Sequence, residues 1–371
     1  MPQTSVEAQS AHTIGFLISL LPGGLIPLSW WLGQAIGMPD TFAWLAVLVV
    51  FGIVPIIDRI VGTDPVTPAE VAPVQLQHAR WYRAIPLASL PIQIAAVAFG
   101  AWVFATAPLN WFGALGWVAS CGVVSGIIAI NVAHELIHKG TRLEQWTGGI
   151  LMSTVCYGTF PIEHIYGHHQ DMGTPADPVS ARFGQHYYAS FSNALRGTFT
   201  KAWRLQRERL AREGRTLWSV RNPLLWWYGL SATFAAGLYL AFGFAGLAFF
   251  FLQAFFAVVN LEAVNYIEHY GLTRRQMPDG AFEPIGPQHS WNTNWAFTNL
   301  LLINLQRHAD HHLHARRPYE LLRHVDESPQ LPAGYGAMIP LAMIPPLWHR
   351  IIDPRLLAYL HGREEPLPIN S

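Results

Sequence analysis

The sequence predicts an all-α integral membrane fold: six transmembrane helices in three hairpins, topped by a cytoplasmic helical cap. Three observations carry that reading. The chain of 371 residues is 51% hydrophobic and only 12% charged, about half the charge of an ordinary soluble protein. Charge is also missing from long stretches: Asp40 stands alone between Ala8 and Ile57, and none occurs from Ala84 to Ala133 or from Asn222 to Leu261. Finally, all 23 Lys and Arg residues, beginning with Arg59, follow even-numbered spans or sit at their ends.

Each charge-poor stretch is long enough for two helices of about 20 residues joined by a tight turn. The turns are visible as Gly37-Met38-Pro39-Asp40, Ala107-Pro108-Leu109-Asn110 and Gly243-Phe244-Ala245-Gly246, rich in the residues that break helices. They predict spans near 13–36, 41–61, 84–105, 111–133, 223–242 and 247–266 within a single membrane domain, 1–371. The hairpin turns hold no basic residue, and basic residues stay cytoplasmic. Segments 139–221 and 270–371 and both termini are therefore expected on the cytoplasmic side.

The first apolar stretch has no basic residue before it and outruns a signal peptide, so it is expected to be retained. Cys121 and Cys156 cannot form a disulfide framework, and no C-x-x-C pair suggests zinc or an iron–sulfur site. They are expected to serve packing. Zero formal net charge gives no reason to expect a nucleic acid partner. The proline-rich stretch from Pro329 to Pro346 is expected to be irregular, as a loop or membrane-facing segment.

Among 17 histidines, nine fall into four groups: His134 and His138; His164, His168 and His169; His269; and His308, His311 and His312. Helical geometry puts residues four apart on one face, so His134 and His138 are expected to reach one ion. His164 and His168 repeat that spacing, with His169 turned about 100° away toward a second ion. His308, His311 and His312 share a helical face, and His269 ends the sixth span. All groups fall at the predicted cytoplasmic boundary. His134-Glu135-Leu136-Ile137-His138 also matches the H-E-x-x-H zinc peptidase motif, but such a site needs only three protein ligands. The excess implies two metal ions. Imidazole suits zinc, copper, iron or nickel, and redox chemistry on apolar substrates favours iron.

Acids interleave with the histidines. Glu135, Glu163, Glu262, Glu268 and Asp310 are expected to hold ligand rings through their second nitrogen, while Asp171 and Asp177 read equally well as surface acids. Glu262 and Glu268 stand out because an acid at the end of a membrane helix is costly without a partner.

The stretches 134–139, 163–169, 265–272 and 305–312 together resemble the membrane alkane monooxygenases, the alkane 1-monooxygenase family of integral-membrane, histidine-box hydroxylases. The likeness runs through all six predicted spans to Gly334-Tyr335-Gly336. It implies that the nine histidines hold two non-haem irons. It further implies a bacterial inner-membrane enzyme that converts the terminal methyl of medium- to long-chain n-alkanes to 1-alkanols with O2. Its two electrons would come from rubredoxin, itself reduced by an NADH-dependent flavoprotein reductase. The paired cysteines of a fused rubredoxin are not in this chain, so a separate carrier or a further domain is expected. Asn265-Tyr266 separates the likeness from the broader fatty acid desaturase group.

Alkanes partition into lipid, at about 0.8 kcal/mol per buried methylene. A substrate channel between helices is expected, with Phe51, Ile53, Ile57, Trp102 and Phe104 as lining. The basic run from Lys201 to Arg221 suits anionic lipid headgroups or an acidic electron carrier. Two further readings remain at this stage. One is a related oxygenase acting on aromatic methyl groups or fatty acyl chains, as hydroxylase or desaturase. The other is a metal transporter, which would place polar groups along the middle of the spans.

Overall fold

The structure, a computed structural model, describes residues 14–64 and 80–362. Three of its helices are long and apolar enough to cross a membrane: Arg80–Thr106, Trp111–Ile137 and Pro223–His269. The last has 47 residues and would extend about 70 Å if straight, more than twice the hydrocarbon thickness. It breaks at Gly243, whose φ of 62° suits only a residue without a side chain. The chain doubles back there. Ser231 Oγ donates to the Ser153 carbonyl at 2.9 Å and Gln253 Nε2 to the neighbouring Thr154 carbonyl at 2.9 Å, whereas a straight helix would hold residues 231 and 253 about 33 Å apart.

The N-terminal region begins with a 3-10 turn, Phe16–Leu20, and the helix Pro22–Ile36. Gly37, at φ 76°, ends that helix, and Pro39 opens the next. The stretch expected as a single span over 41–61 is segmented into Pro39–Phe42, Leu45–Leu48, a π-helical turn Val49–Ile53, and Val54–Val61. The cause is local. Pro55 has no N–H for the Phe51 carbonyl and its ring crowds that position, so the turn widens to the bond from Val54 N to Val49 O.

Asp40, the charge that interrupts the first apolar stretch, ties the first two turns together. It accepts from Asn110 N and Nδ2, both at 2.8 Å. Asn110 Oδ1 in turn caps the following helix, accepting from Phe112 N at 2.9 Å and Gly113 N at 3.0 Å. Deeper in, buried polar groups cross-link helices: Gln93 Nε2 donates to Ser125 Oγ and Thr154 Oγ1, and Ser125 Oγ to Gln253 Oε1, each at 3.0 Å. Such bonds add to van der Waals packing between apolar helices. Close approach also needs Gly122, where a Cβ would sit 2.9 Å from the Gln253 carbonyl.

Beyond these helices lie Arg142–Ser153, Phe160–Glu163 and Tyr187–Arg212, then Ala296–Leu301, His308–Leu313, Tyr335–Ala342 and Pro345–His361. The stretch around residues 329–346 is therefore not irregular as expected. Pro345 occupies the first turn of a helix, where its missing N–H costs nothing. Tyr335–Ala342 is largely buried, and a Cβ on Gly336 would lie 2.7 Å from the Val50 carbonyl. Among the described residues, β-pairing is limited to isolated bridges.

Two buried acids fasten the C-terminal segment to the end of Val54–Val61. Asp58 accepts from Thr298 N at 3.0 Å and Thr298 Oγ1 at 2.6 Å. Asp64 Oδ2 lies 2.8 Å from Arg307 Nη2, and Arg307 is fully buried. Arg307 also donates to the Leu322 carbonyl at 2.7 Å and to Asn294 Oδ1 at 3.1 Å. This clamp immediately precedes His308.

Candidate metal centre

The histidines converge as two adjoining groups. One comprises His134, His138, His164, His169 and His311; the other His168, His269, His308 and His312. Within each group the ligating atoms lie within 4.8 Å of one another. Each chain segment reaches the centre from a different element: the end of Trp111–Ile137, the turn His164–His168, the end of Pro223–His269, and the helix His308–Leu313.

The grouping departs from the expected helical faces at two places, His168 and His311. His134 and His138 do share a group, but His164 joins His169, and His168 goes to the other. The cause is the π-helical conformation of His164–His168, closed by a bond from His169 N to His164 O. An i→i+5 turn needs five residues rather than four to return to one side. In the regular helix His308–Leu313 the i, i+4 pair His308 and His312 stays together, while His311 faces the first group.

The spacings fit metal ligation. In the first group, Nε2 atoms are 3.1 Å apart for His138 and His164, for His164 and His169, and for His169 and His311. In the second they are 3.3 Å for His168 and His312, 2.9 Å for His312 and His308, and 3.2 Å for His308 and His269. Two nitrogens each about 2.1 Å from one ion are about 3.0 Å apart at a right angle and about 3.4 Å apart at the tetrahedral angle. The observed values, from 2.9 to 3.3 Å, lie in the range of nitrogens that share one ion. His134 Nε2 is buried without a hydrogen-bond partner, an orphaned donor atom in a ring of ligands. Burial first, and neighbouring imidazoles next, hold His164, His169, His308, His311 and His312 well below the usual histidine pKa. They stay neutral, as metal ligation requires. Among the described residues no carboxylate joins either group, and an all-imidazole donor set suits zinc, copper, iron or nickel.

The acids around the centre divide into two sets. Glu268 Oε1 lies 3.2 Å from His308 Nδ1, although not aligned for a hydrogen bond, and accepts from Tyr335 OH at 2.7 Å. Asp177, which the sequence left open as a surface acid, lies 3.0 Å from His168 Nδ1 and accepts from Ser180 Oγ at 2.6 Å. The other four expected acids are buried but brace the scaffold. Glu135 pairs with Lys139 and accepts from Tyr319 N; Glu262 accepts from Tyr157 OH and Asn265 Nδ2. Asp310 pairs with Arg317, and Glu163 lies 3.3 Å from Lys201 Nζ. Lys201 is itself buried, bridging Glu163 and Asp171, 2.9 Å away. Sequence reasoning counted it in the basic run, and its position on a helix gave no sign that it turns inward.

An apolar cavity leads to the histidines. Val50, Phe51, Ile127, Ile130, Leu302 and Ile339 contribute to its walls, and His134, His164 and His308 to its polar end. Of the expected channel residues, Phe51 lines it. Ile53 and Trp102 are exposed, Ile57 is half-buried outside the lining, and Phe104 packs on Phe249.

A helical membrane protein with adjoining all-histidine groups falls among the membrane desaturases and hydroxylases, and the profile of the family described as fatty acid desaturase matches residues 109–342. Full-length relatives are more specific. The chain is 46% identical to alkane 1-monooxygenase 2 of Pseudomonas aeruginosa, across 95% of this chain and 94% of that one. It is 47% identical to alkane 1-monooxygenase 1 of the same organism, across 91% and 89%. With alkane 1-monooxygenase 2 of Alcanivorax borkumensis it shares 43% across 99% and 96%. The chain belongs to the alkane 1-monooxygenase family, and it is an oxidoreductase.

Proposed function

We propose that the protein hydroxylates the terminal methyl of medium- to long-chain n-alkanes, giving 1-alkanols. The observation that carries this reading is the apolar cavity ending at His134, His164 and His308. Such walls favour a hydrocarbon in proportion to the area they remove from water, and offer little to a charged headgroup. The nine histidines His134, His138, His164, His168, His169, His269, His308, His311 and His312 would hold two irons. Iron bound there would supply the reduction of O2 that an unpolarised C–H bond demands.

The chain's own residues bind and orient. Phe51, Ile127 and Leu302 along the walls exclude water from the hydrocarbon. Asp177 orients the His168 ring, and Glu268 sets a carboxylate 3.2 Å from His308 Nδ1. The electrons are proposed to come from rubredoxin, reduced by an NADH-dependent flavoprotein. Six spans in three hairpins, with the histidines on the cytoplasmic side of a bacterial inner membrane, are proposed from the charge distribution. The doubling back at Gly243 supports the third hairpin.

The test measures metal content and products together, supplying rubredoxin, its reductase and NADH, with n-alkanes, alkylbenzenes and fatty acyl substrates offered in parallel. Two irons per chain and 1-alkanol from the alkane are expected. One zinc without oxygen uptake, or products only from the other substrates, overturns the reading.

A further inference from the structure

The apolar cavity contains one polar side chain that neither holds the scaffold together nor belongs to the histidine groups. Asn131 is 6% exposed, and both its Oδ1 and its Nδ2 are buried without a partner. It lines the cavity beside His134, and it also lines a small recess shared with His134 and His311. Its amide thus sits where the apolar walls meet the five-histidine group. The other amides of the lining are tied down: Asn260 Nδ2 donates to the Phe256 carbonyl at 2.7 Å, and Asn265 Nδ2 to Glu262 Oε2 at 3.0 Å. Thr298 and Tyr335 are likewise engaged, with Asp58 and Glu268.

A buried carboxamide without partners is costly, and an alkane can do nothing to satisfy it. A hydroxyl can, since it offers one donor and two acceptor lone pairs. Resting on the alkane reading above, we infer that the Asn131 carboxamide binds the hydroxyl of the newly formed 1-alkanol. It acts at the five-histidine end of the cavity and makes the site discriminate product from substrate. Asn131 closes the π-helical turn Gly126–Asn131, and such turns recur at functional sites. Four of that turn's residues, Gly126, Ile127, Ile130 and Asn131, face the cavity. The turn delivers the amide into a wall otherwise built of hydrocarbon.

The experiment compares 1-alkanol and n-alkane of equal chain length on the wild type and on Asn131→Leu, Asn131→Ala and Asn131→Ser. Alcohol binding is read directly by calorimetry on the iron-loaded, detergent-solubilised protein and as product inhibition, and alkane binding as KM. Asn131→Leu is expected to weaken alcohol binding about tenfold, one hydrogen bond's share, with alkane KM changed less than about threefold. Asn131→Ala and Asn131→Ser leave similar space but differ in one hydroxyl, so only Ser is expected to restore alcohol affinity, even if Leu does not fold. Alcohol and alkane affinities that move together, or Ala and Ser variants that bind alcohol equally, overturn the assignment. A wild type that forms alcohol while the variants bind it unchanged overturns this inference alone. A wild type that forms none overturns the alkane reading and this inference with it.

Discussion

Replacing Arg307 by methionine should unfold the C-terminal side of the centre before the rest. Arg307 makes charge-assisted bonds in a fully buried position, among them those to Asp64, to the Leu322 carbonyl and to Asn294. Arg307→Met takes the 2.8 Å guanidinium contact away from the Asp64 carboxylate, which stays buried. Breaking one side of a buried pair costs about 3–5 kcal/mol, a large part of the roughly 5–15 kcal/mol that holds a typical fold. Asp64→Asn should cost a similar amount by taking the carboxylate from the buried guanidinium. The double variant should recover at least about 2 kcal/mol of the summed loss, because the two changes remove one interaction. Reversible unfolding by SDS titration in mixed micelles, followed by tryptophan fluorescence, measures each corner of the cycle. Iron content supplies a second readout. Arg307 adjoins His308, whose Nε2 lies 2.9 Å from that of His312 and 3.2 Å from that of His269, so the ion of the four-histidine group should be lost first. A single variant costing under about 1 kcal/mol, or strict additivity in the double, refutes the clamp.

The two groups should be separable by substitution: His311→Ala should empty the five-histidine group and His312→Ala the other, each lowering iron from two per chain to one by elemental analysis and abolishing hydroxylation. Gly126→Leu should shorten the usable cavity. A Cβ there meets only the Asn260 Cβ, at 3.7 Å, so the side chain projects into space that would hold about three methylenes. At about 0.8 kcal/mol each the loss is about 2.4 kcal/mol, roughly a sixtyfold fall in kcat/KM for long alkanes relative to short ones, read from product distributions. Tyr335→Phe removes the 2.7 Å bond to Glu268 and should weaken iron binding about tenfold, measured by chelator competition.

The turns at Gly37, Asn110 and Gly243 were legible because glycine, proline and asparagine have few reasons to interrupt an apolar run except to break it. The histidine groups were legible because chemistry-bearing residues at helical spacing stand out against hydrocarbon. What was not legible involves partners far apart in the chain. Asp64 and Arg307 are 243 residues apart, and nothing in either neighbourhood names the other. Lys201 sits among arginines that suggest an exposed basic face, yet it is drawn inward by Glu163, Asp171 and the Ala176 carbonyl. Asp177 has no local pattern linking it to His168. Burial turns such ordinary charges into scaffold, and burial is a property of the assembled fold.

The departures from helical period fall in one place. The π-helical turns Val49–Ile53, Gly126–Asn131 and His164–His168 lie in three different chain regions, yet each contributes to the cavity or to the histidine groups. Val50 and Phe51 of the first and Ile127 and Ile130 of the second face the cavity, while the third carries His164 and His168 into different groups. A regular helix gives each site two inward positions per turn and a narrow stripe of wall. An extra residue in the turn rotates the helix beyond it, so that one segment packs in the apolar core before the turn and presents ligands or amides after it. The sequence of such a segment still reads as a helix, because the flanking turns obey the usual period. The pairing of His164 with His169 is the direct consequence: the extra residue in the π-helical turn lets a single short segment serve both groups.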